Sequence, residues 1–490
     1  MMNRFQAEKY PHINLARLVV GEREFHFEGH WIRGKPWDRF GLYNSYVIVR
    51  HDDEVCFMPA HAGELVPGST EDLVAILGQF GSGSLFAPAP MTLELDPTYR
   101  CSSRDCGGRC FSSAYRRRSP HATIPSELLR EIIIDFATAG GRVVRFDGGG
   151  DPLCHFAVRS GELPELCQHL NLKSTLLTSG DLFEHCDLHR LAQADCYVRI
   201  SLNAASNETR WAFHGNAVPL DRIFAAIRQF ADGLARENSP LPIGATFLLD
   251  RINFHEVLAC AIRARDSGIA HFAVRRVLGP EALRPEFTTK EQSAIGDLLS
   301  AVGELSDEDF KVFVPWRDLN EPDVNPANTE LYSEHCWQSI FKTVIEPDPA
   351  TGGFCAQLCG RYRGGGLGQL QQMPPLFSSK DGAGWIDKWR HSFNSYFISR
   401  DALPNTCVSC IDRGFIFMMD RLVRFLGDPT KGFSVFHLFS RDNTQNEQAA
   451  GSCITRRGRR PDPLSGGLDL VDFGAGAQRD DVYSVEAPGG

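Results

Sequence analysis

Three cysteines lie within ten residues, in the segment Cys101-Ser-Ser-Arg-Asp-Cys106-Gly-Gly-Arg-Cys110. Thiolates are the natural ligands of iron–sulfur clusters and of zinc. Three protein ligands would leave one iron of a [4Fe–4S] cluster open, whereas a structural zinc would take a fourth ligand from elsewhere in the chain. The glycines at 107 and 108 allow the chain to wrap closely around a metal centre. On the cysteines alone, cluster and zinc are equally favoured.

Composition sets the context of these thiols. The 490 residues, 42% hydrophobic and 23% charged, are typical of a soluble globular protein with two or three domains. A formal charge of −10 argues against nucleic-acid binding. No apolar stretch is long enough to span a membrane, and the first residues lack the hydrophobic core of a signal peptide. We therefore expect a cytoplasmic protein, in which fifteen cysteines indicate metal or redox chemistry rather than disulfides. Two arginine clusters, 116–118 and 456–460, are interpreted as solvated loops.

From Met91 onward, strand-like runs alternate with amphipathic helices. The strands are expected at Thr92–Leu95, Val143–Phe146, Ser174–Leu177, Tyr197–Leu202, Ile243–Leu249 and Phe272–Val277, and the helices at 126–139, 163–169, 184–194, 218–234, 254–267 and 288–304. Six such units in about 225 residues predict a parallel α/β sheet, a partial (β/α)6 TIM-like barrel with its active face at the carboxyl ends of the strands. The alternation alone is nearly as compatible with a doubly wound open sheet.

The flanking regions differ from this repeat. Residues 1–88 are predicted to be a small α+β domain, with a hairpin at Tyr46–Val49 and Glu54–Met58 and a helix at Ser69–Leu77, and the stretch 81–90 is a Gly/Ser/Pro-rich linker. The predicted barrel spans 91–315. A loop-rich, cysteine-containing domain is expected at 316–440, and a disordered tail at 441–490.

Three further motifs follow the cysteine loop, each at the end of a predicted strand. They are Phe146-Asp-Gly148-Gly149-Gly150-Asp151-Pro, Leu177-Thr178-Ser-Gly180 and Arg199-Ile-Ser201-Leu-Asn203. Alone, each would be an ordinary turn. Together and in this order, they resemble the radical S-adenosylmethionine (SAM) superfamily over about residues 91–315.

The resemblance implies a cofactor set and a site. Cys101, Cys106 and Cys110 would hold a [4Fe–4S] cluster whose open iron binds SAM. The implied SAM contacts are Gly148, Gly149, Gly150, Asp151, Thr178, Ser201, Asn203 and Arg275. Such enzymes cleave SAM reductively, and the 5′-deoxyadenosyl radical abstracts a hydrogen atom from the substrate. The resemblance also implies a flavodoxin- or ferredoxin-type reducing partner.

Three departures from the family pattern are visible. The family's Cys-x3-Cys-x2-Cys spacing is here Cys-x4-Cys-x3-Cys, so each gap is one residue longer. Arg109 stands where the family has an aromatic residue near the adenine, and Phe111 is the expected substitute. Asp151 replaces the usual glutamate of the Gly-Gly-Glu motif.

A second cysteine set follows the predicted barrel: Cys336, Cys355, Cys407 and Cys410, with Cys359 as an additional candidate. Cys336 and Cys355 flank a predicted hairpin turn at residues 351–353. Four thiols of this kind can hold a cluster or a tetrahedral zinc. After a radical SAM barrel they resemble the twitch or SPASM extension, and their number favours one auxiliary [4Fe–4S] cluster.

The resemblance leaves the substrate open between two classes. The N-terminal hairpin followed by a helix resembles a leader-peptide recognition element, which favours modification of a ribosomally made peptide in natural-product maturation. The alternative is oxidation or epimerisation of a small sugar or aminocyclitol. From a different class, a zinc-stabilised binding protein without radical chemistry fits the cysteines alone. No catalytic acid, base or hydrogen-atom donor can be named from the sequence.

Overall fold

The computed structural model describes four strands in the N-terminal region and most of residues 90–398. The described residues are 13–20, 23–30, 46–51, 54–59 and 90–398, the last range without 91, 104–105, 107–109, 111, 216–217, 240–242, 277–285, 308, 314–338, 340–341 and 360–374. The predicted helix at 69–77, the tail at 441–490, Phe111, Cys336, Cys407 and Cys410 lie outside these residues.

The N-terminal strands form two antiparallel hairpins. In the first, β1 (Ile13–Val20) pairs with β2 (Arg23–His30), and in the second, β3 (Tyr46–His51) pairs with β4 (Glu54–Pro59). The second hairpin is the predicted one and is confirmed. The first was missed, although phenylalanines at 25 and 27 alternate with polar residues as a strand requires.

A sheet of parallel strands forms the centre of the molecule. Its seven sequential strands are β5 (Thr92–Leu95), β6 (Val143–Phe146), β7 (Lys173–Thr178), β8 (Cys196–Ser201), β9 (Ile243–Leu249), β10 (Ile269–Arg276) and β11 (Lys311–Phe313). Each pairs in parallel with the next, in the order in which the chain makes them. A doubly wound sheet reverses its strand order at a switch point, and this one does not. The six predicted strands are therefore confirmed as part of a TIM-like barrel sheet.

Helices connect the strands and cover the outer face of this sheet. They are α1 (Ser113–Arg118), α2 (Ser126–Thr138), α3 (Phe156–Arg159), α4 (Glu162–His169), α5 (Leu188–Gln193), α6 (Asn207–His214), α7 (Leu220–Arg236), α8 (Val257–Arg265) and α9 (Thr289–Glu304). The predicted apolar stripe of α2 is confirmed, because Leu128, Leu129, Ile132, Ile133 and Phe136 are all buried. The short helices α1, α3 and α6 were not predicted.

The sheet continues beyond the predicted barrel. Strand β12 (Lys342–Asp348) pairs in parallel with β5, and β13 (Gly353–Gln357) and β14 (Phe377–Ser379) follow it antiparallel. The predicted hairpin between Cys336 and Cys355 is thus present as β12–β13. Helix α10 (Trp385–Ile398) packs on α2, where the indole of Trp385 donates to Ile132 O at 2.9 Å. The domain boundary near 315 stays a prediction, although the sheet itself crosses it.

Two aromatic rings fill the amino-terminal end of the barrel interior. Tyr197 on β8 and His271 on β10 stack with centroids 6.0 Å apart and are fully buried. Between them, Gly244 on β9 leaves the space that they occupy: a Cβ there would lie 2.2 Å from the Tyr197 hydroxyl and 2.2 Å from the His271 ring. The missing side chain at 244 is therefore a packing requirement.

Replacing Gly244 with Val should destabilise the fold by about 1–3 kcal/mol or more, because the new side chain overpacks this end of the barrel. The measurement is the free energy of unfolding from urea denaturation. Gly296→Ala in α9 is the matched control, since nothing lies within 4 Å of its Cβ position. We expect that variant to be stabilised by about 0.5–1 kcal/mol through helix propensity. Equal stability of Gly244→Val and wild type would contradict the packing.

Among the described residues, none of the helices has the length and apolar character needed to cross a membrane.

Candidate functional site

The three-cysteine segment begins six residues after β5, at the carboxyl edge of the sheet. Cys101, Cys106 and Cys110 are each half-buried and free of disulfides. Burial, followed by the negative charge of Asp151, raises the pKa of Cys101. Burial and the neighbouring Cys110 raise the pKa of Cys106 to about 11. The thiols therefore influence one another, and their ionised forms need a positive charge nearby.

One source of positive charge is Arg116 on α1, directly after the cysteine loop. Its side chain is 7% exposed, whereas Arg117 and Arg118 are exposed. Its guanidinium lowers the pKa of both Cys101 and Cys106, against the larger effect of burial. The interpretation of 116–118 as a solvated loop is wrong for Arg116, because α1 turns this residue inward towards the thiols.

The glycine-rich loop after β6 lies directly against the start of the cysteine loop. A Cβ at Gly150 would lie 1.9 Å from the carbonyl oxygen of Arg100, and the amide of Asp151 donates to that same oxygen at 2.9 Å. The amide of Gly149 donates to Asp96 Oδ2 at 2.9 Å. Gly148 has a φ of +102°, and a Cβ there would collide with the Asp96 carboxylate. Only glycines allow this approach.

The carboxylate of Asp151 joins this loop to the turn after β7. Its oxygens accept hydrogen bonds from the Thr178 hydroxyl at 2.9 and 3.0 Å, the Ser179 hydroxyl at 2.7 Å and the Ser179 amide at 2.9 Å. It also caps the 3₁₀ turn Pro152–Cys154 through the Leu153 amide at 3.0 Å. Burial raises the pKa of Asp151, and the Ser179 hydrogen bonds partly offset that rise. Two of the predicted SAM-contact residues are thus brought together, bonded to each other.

The end of β8 contributes Ser201 and Asn203. Ser201 is half-buried, and Asn203 is 1% exposed with a left-handed φ of +57°. The Asn203 amide oxygen accepts from Leu248 N at 2.7 Å, and its amide nitrogen lies 3.3 Å from His214 Nε2. The other ring nitrogen of His214 lies 4.0 Å from the sulfur of Cys106. The strand-end asparagine and the cysteine loop therefore meet through one imidazole.

Burial and the nearby Arg210 guanidinium lower the pKa of His214. The ring is accordingly neutral at physiological pH. Arg275, near the end of β10, is half-buried and pairs in register with Leu248 of β9. It thus reaches the same edge of the sheet as Asn203.

A buried ion pair between Asp181 and Arg210 lies at the centre of these loops. Asp181 follows the Thr178-Ser179-Gly180 turn, and Arg210 lies on α6. Burial works to raise the pKa of Asp181, but Arg210 and the Ser102 hydroxyl hold it below the usual value. Neither residue was predicted. A polar residue after a strand-end turn could have suggested Asp181, whereas no sequence signal identifies Arg210.

The residues fit an iron–sulfur cluster by donor chemistry. The loop offers three thiols, with a buried guanidinium beside two of them. Among the described residues, no group of three His, Cys, Asp or Glu side chains is arranged to hold a metal ion. The ligand assignment for Cys101, Cys106 and Cys110 therefore stays a prediction, as do the predicted SAM contacts.

Of the second cysteine set, the structure describes Cys355 and Cys359. Cys355 lies on β13 opposite Glu346, and its thiol donates to Glu346 Oε1 at 3.8 Å. Burial and the Glu346 charge raise the pKa of Cys355. The other oxygen of Glu346 accepts from the Tyr99 hydroxyl at 2.7 Å, two residues before Cys101. The two cysteine regions are therefore linked by a short hydrogen-bonded path.

The comparisons with known proteins find similar structures and no similar sequences. No family model matches the chain, and the search of curated proteins gives no match. The chain is similar to Streptococcus suis SuiB bound to S-adenosylmethionine, at 14% identity over 71% of this chain and 76% of that one, with a TM-score of 0.47. The chain is also similar to SuiB bound to precursor peptide SuiA, at 16% identity over 68% of this chain and 71% of that one, with a TM-score of 0.46.

Native anSMEcpe with bound AdoMet is similar at 15% identity, over 73% of this chain and 100% of that one, with a TM-score of 0.41. In a further structure of SuiB, the chain spans 65% of that chain's length. At these identities the likeness concerns the fold and not the chemistry.

Helix α6, which carries Arg210 and His214, is held at its amino end by Glu256. The Glu256 carboxylate accepts from the amides of Ala205 and Ser206 at 2.6 and 3.0 Å, and from the hydroxyls of Ser206 and Thr209 at 2.5 and 2.8 Å. Burial works to raise the pKa of Glu256, but these hydrogen bonds hold it below 4.5, its usual value.

Glu256→Gln should lower stability at neutral pH, because an amide cannot accept all four bonds. Since the folded pKa is depressed, the stabilisation is present above pH 4.5 and is lost as the pH falls through the folded pKa. The difference in unfolding midpoint between variant and wild type should therefore shrink in acid. Asp221→Asn, which removes an 86% exposed carboxylate, is the control and should change little. A pH-independent difference would contradict the capping role.

Proposed function

We propose that this protein is a radical SAM enzyme. One observation supports this most strongly: the three-cysteine loop, the glycine-rich loop and the turn after β7 are hydrogen-bonded together at the carboxyl edge of a barrel sheet. The hydrogen bond from the Asp151 amide to Arg100 O and the bonds from Thr178 and Ser179 to the Asp151 carboxylate make that connection. A structural zinc site would need only the cysteines and would make no use of the glycine-rich loop or of the turn after β7.

Different residues at this edge would bind the cluster and SAM. Cys101, Cys106 and Cys110 would hold a [4Fe–4S] cluster, which with SAM supplies a 5′-deoxyadenosyl radical that abstracts a hydrogen atom from the substrate. Backbone groups of residues 148–150 would bind the amino end of SAM, while Ser201 and Arg275 would meet its polar groups. Tyr197 and His271 fill the far end of the barrel, and an end closed in this way would help to exclude water from the reacting centre.

For the substrate we propose a ribosomally made peptide. The supporting feature is the pair of hairpins, β1–β2 and β3–β4, ahead of the barrel. A small sugar or aminocyclitol is the alternative. If a short peptide is encoded beside the gene, binding of that peptide in synthetic form would favour the peptide substrate, and no binding would favour the small molecule. A flavodoxin- or ferredoxin-type protein would supply the electrons, because clusters of this kind work at low potential.

Anaerobic reconstitution with iron and sulfide tests the main proposal. Wild-type protein should take up iron and release 5′-deoxyadenosine from SAM and dithionite. The Cys101→Ala, Cys106→Ala and Cys110→Ala variants should each lose that product, because one missing thiolate leaves the cluster without its third ligand. Cys260→Ala, which removes a buried thiol of α8, is the control and should keep it. A colourless wild-type protein that contains only zinc would overturn the proposal.

We further propose one auxiliary [4Fe–4S] cluster with Cys336, Cys355, Cys407 and Cys410 as its ligands. Cys359 is the alternative ligand. Reconstituted wild type should then contain about eight iron atoms per chain, about four for each cluster. Cys355→Ala should lower this number by about four while the signal of the first cluster remains. Cys359→Ala, four residues further along the chain, is the matched variant and should leave the iron content unchanged. Full iron content in Cys355→Ala would remove that residue from the ligand set.

A further inference from the structure

The serines inside the cysteine loop are held by a carboxylate from another loop. Ser102 and Ser103 lie between Cys101 and Cys106, and their hydroxyls donate to Asp181 Oδ2 at 2.7 and 3.3 Å. Ser103 is 2% exposed and Asp181 is 1% exposed. The cysteine loop is therefore attached, between two of its thiols, to the segment that follows β7.

Arg210 connects the same carboxylate to a third loop. Its guanidinium pairs with Asp181 Oδ1, donates to Ser179 O at 2.9 Å and donates to Leu202 O at 3.1 Å. Ser179 belongs to the turn after β7, and Leu202 follows β8. Helix α6, which carries Arg210, also ends at His214, next to the sulfur of Cys106.

A buried ion pair in this place is not explained by stability alone. Taking two charges out of water costs more than their attraction returns unless further hydrogen bonds satisfy both groups. Here hydrogen bonds reach both oxygens of Asp181 and both terminal nitrogens of Arg210, whereas Arg210 Nε has no partner among the described residues. Beyond the pair itself, every partner lies in a loop at the carboxyl edge of the sheet. A lysine would not reproduce the pattern, because its donors all lie on one nitrogen, whereas Arg210 uses Nη1 for Leu202 O and Nη2 for Ser179 O and Asp181.

We propose that Asp181 and Arg210 are the positioning pair of the cysteine loop. Through Ser102 and Ser103 they fix the start of the cysteine loop against the loops after β7 and β8, and so set the orientation of the thiols that the cluster and SAM would require. This role rests on the proposed function for its purpose, but the anchoring itself is a property of the metal-free chain.

The decisive variant is Ser102→Ala with Ser103→Ala, which leaves the buried ion pair intact. In metal-free protein, the rates at which a thiol reagent labels Cys101 and Cys106 would be measured by mass spectrometry of the corresponding peptides. We expect these rates to rise roughly thirtyfold, the change that corresponds to the loss of two hydrogen bonds at about 1 kcal/mol each, while Cys260 labels as in wild type. Glu184→Gln is the matched control, because Glu184 pairs with the 56% exposed Arg222 just beyond the same turn.

The loaded protein gives a second measurement. At equal iron content, the double variant should show a changed electron paramagnetic resonance spectrum on addition of SAM. It should also form 5′-deoxyadenosine roughly tenfold to a hundredfold more slowly per cluster, since small displacements of reacting groups have effects of this size. Asp181→Asn, which also leaves Arg210 unpaired, should show the same spectral change at least as strongly wherever it folds.

The outcomes separate the two proposals. Labelling rates equal to wild type in the double variant would overturn the positioning role, whatever the wild-type activity. Faster labelling in Glu184→Gln as well would overturn it too, because the effect would then be general loosening of the surface. A wild type without iron or 5′-deoxyadenosine would overturn the radical SAM proposal, while the labelling comparison would still decide the anchoring.

Discussion

The order of the strands is the constraint on which the rest of this structure depends. Strands β5 to β11 pair in the sequence in which the chain makes them, so every crossover steps in the same direction. All loops that leave the carboxyl ends of these strands consequently meet along one edge. Segments that are 50 to 100 residues apart in the chain, such as the cysteine loop and the turn after β7, can then share a single carboxylate.

Polar groups line the interior below that edge. The carboxylate of Glu94 on β5 lies 3.2 Å from Arg145 on β6 and 3.0 Å from Lys342 on β12. Arg145 in turn pairs with Asp147 at 2.6 Å. Barrel interiors of this class are usually packed with branched aliphatic side chains. The Glu94 carboxylate is thus paired with two cations, and the lysine of this set comes from β12, the strand that extends the sheet.

The elements of the barrel could be predicted because their signals are local. The strands Thr92–Leu95, Val143–Phe146 and Ile243–Leu249 have the predicted bounds, and the α2 stripe is buried as its spacing requires. The site was predictable only where a motif marks it, as in the cysteine loop and the glycine-rich loop. Arg116 was misjudged since a run of arginines does not reveal which of them a short helix turns inward. Arg210 was missed because its partners lie in two other loops, those after β7 and β8.

The side chains predicted to contact SAM at this edge already make hydrogen bonds within the protein. Asp151, Thr178 and Asn203 carry the resemblance in sequence, yet their polar atoms are already bonded to Leu153, Ser179, Leu248 and one another. A ligand that took over these atoms would have to break the bonds that hold the loops together. Asp151 is one methylene shorter than the glutamate of the family pattern. Its carboxylate reaches the Thr178-Ser179 turn, which fits this internal role. The motif side chains therefore keep the loops of this edge in place.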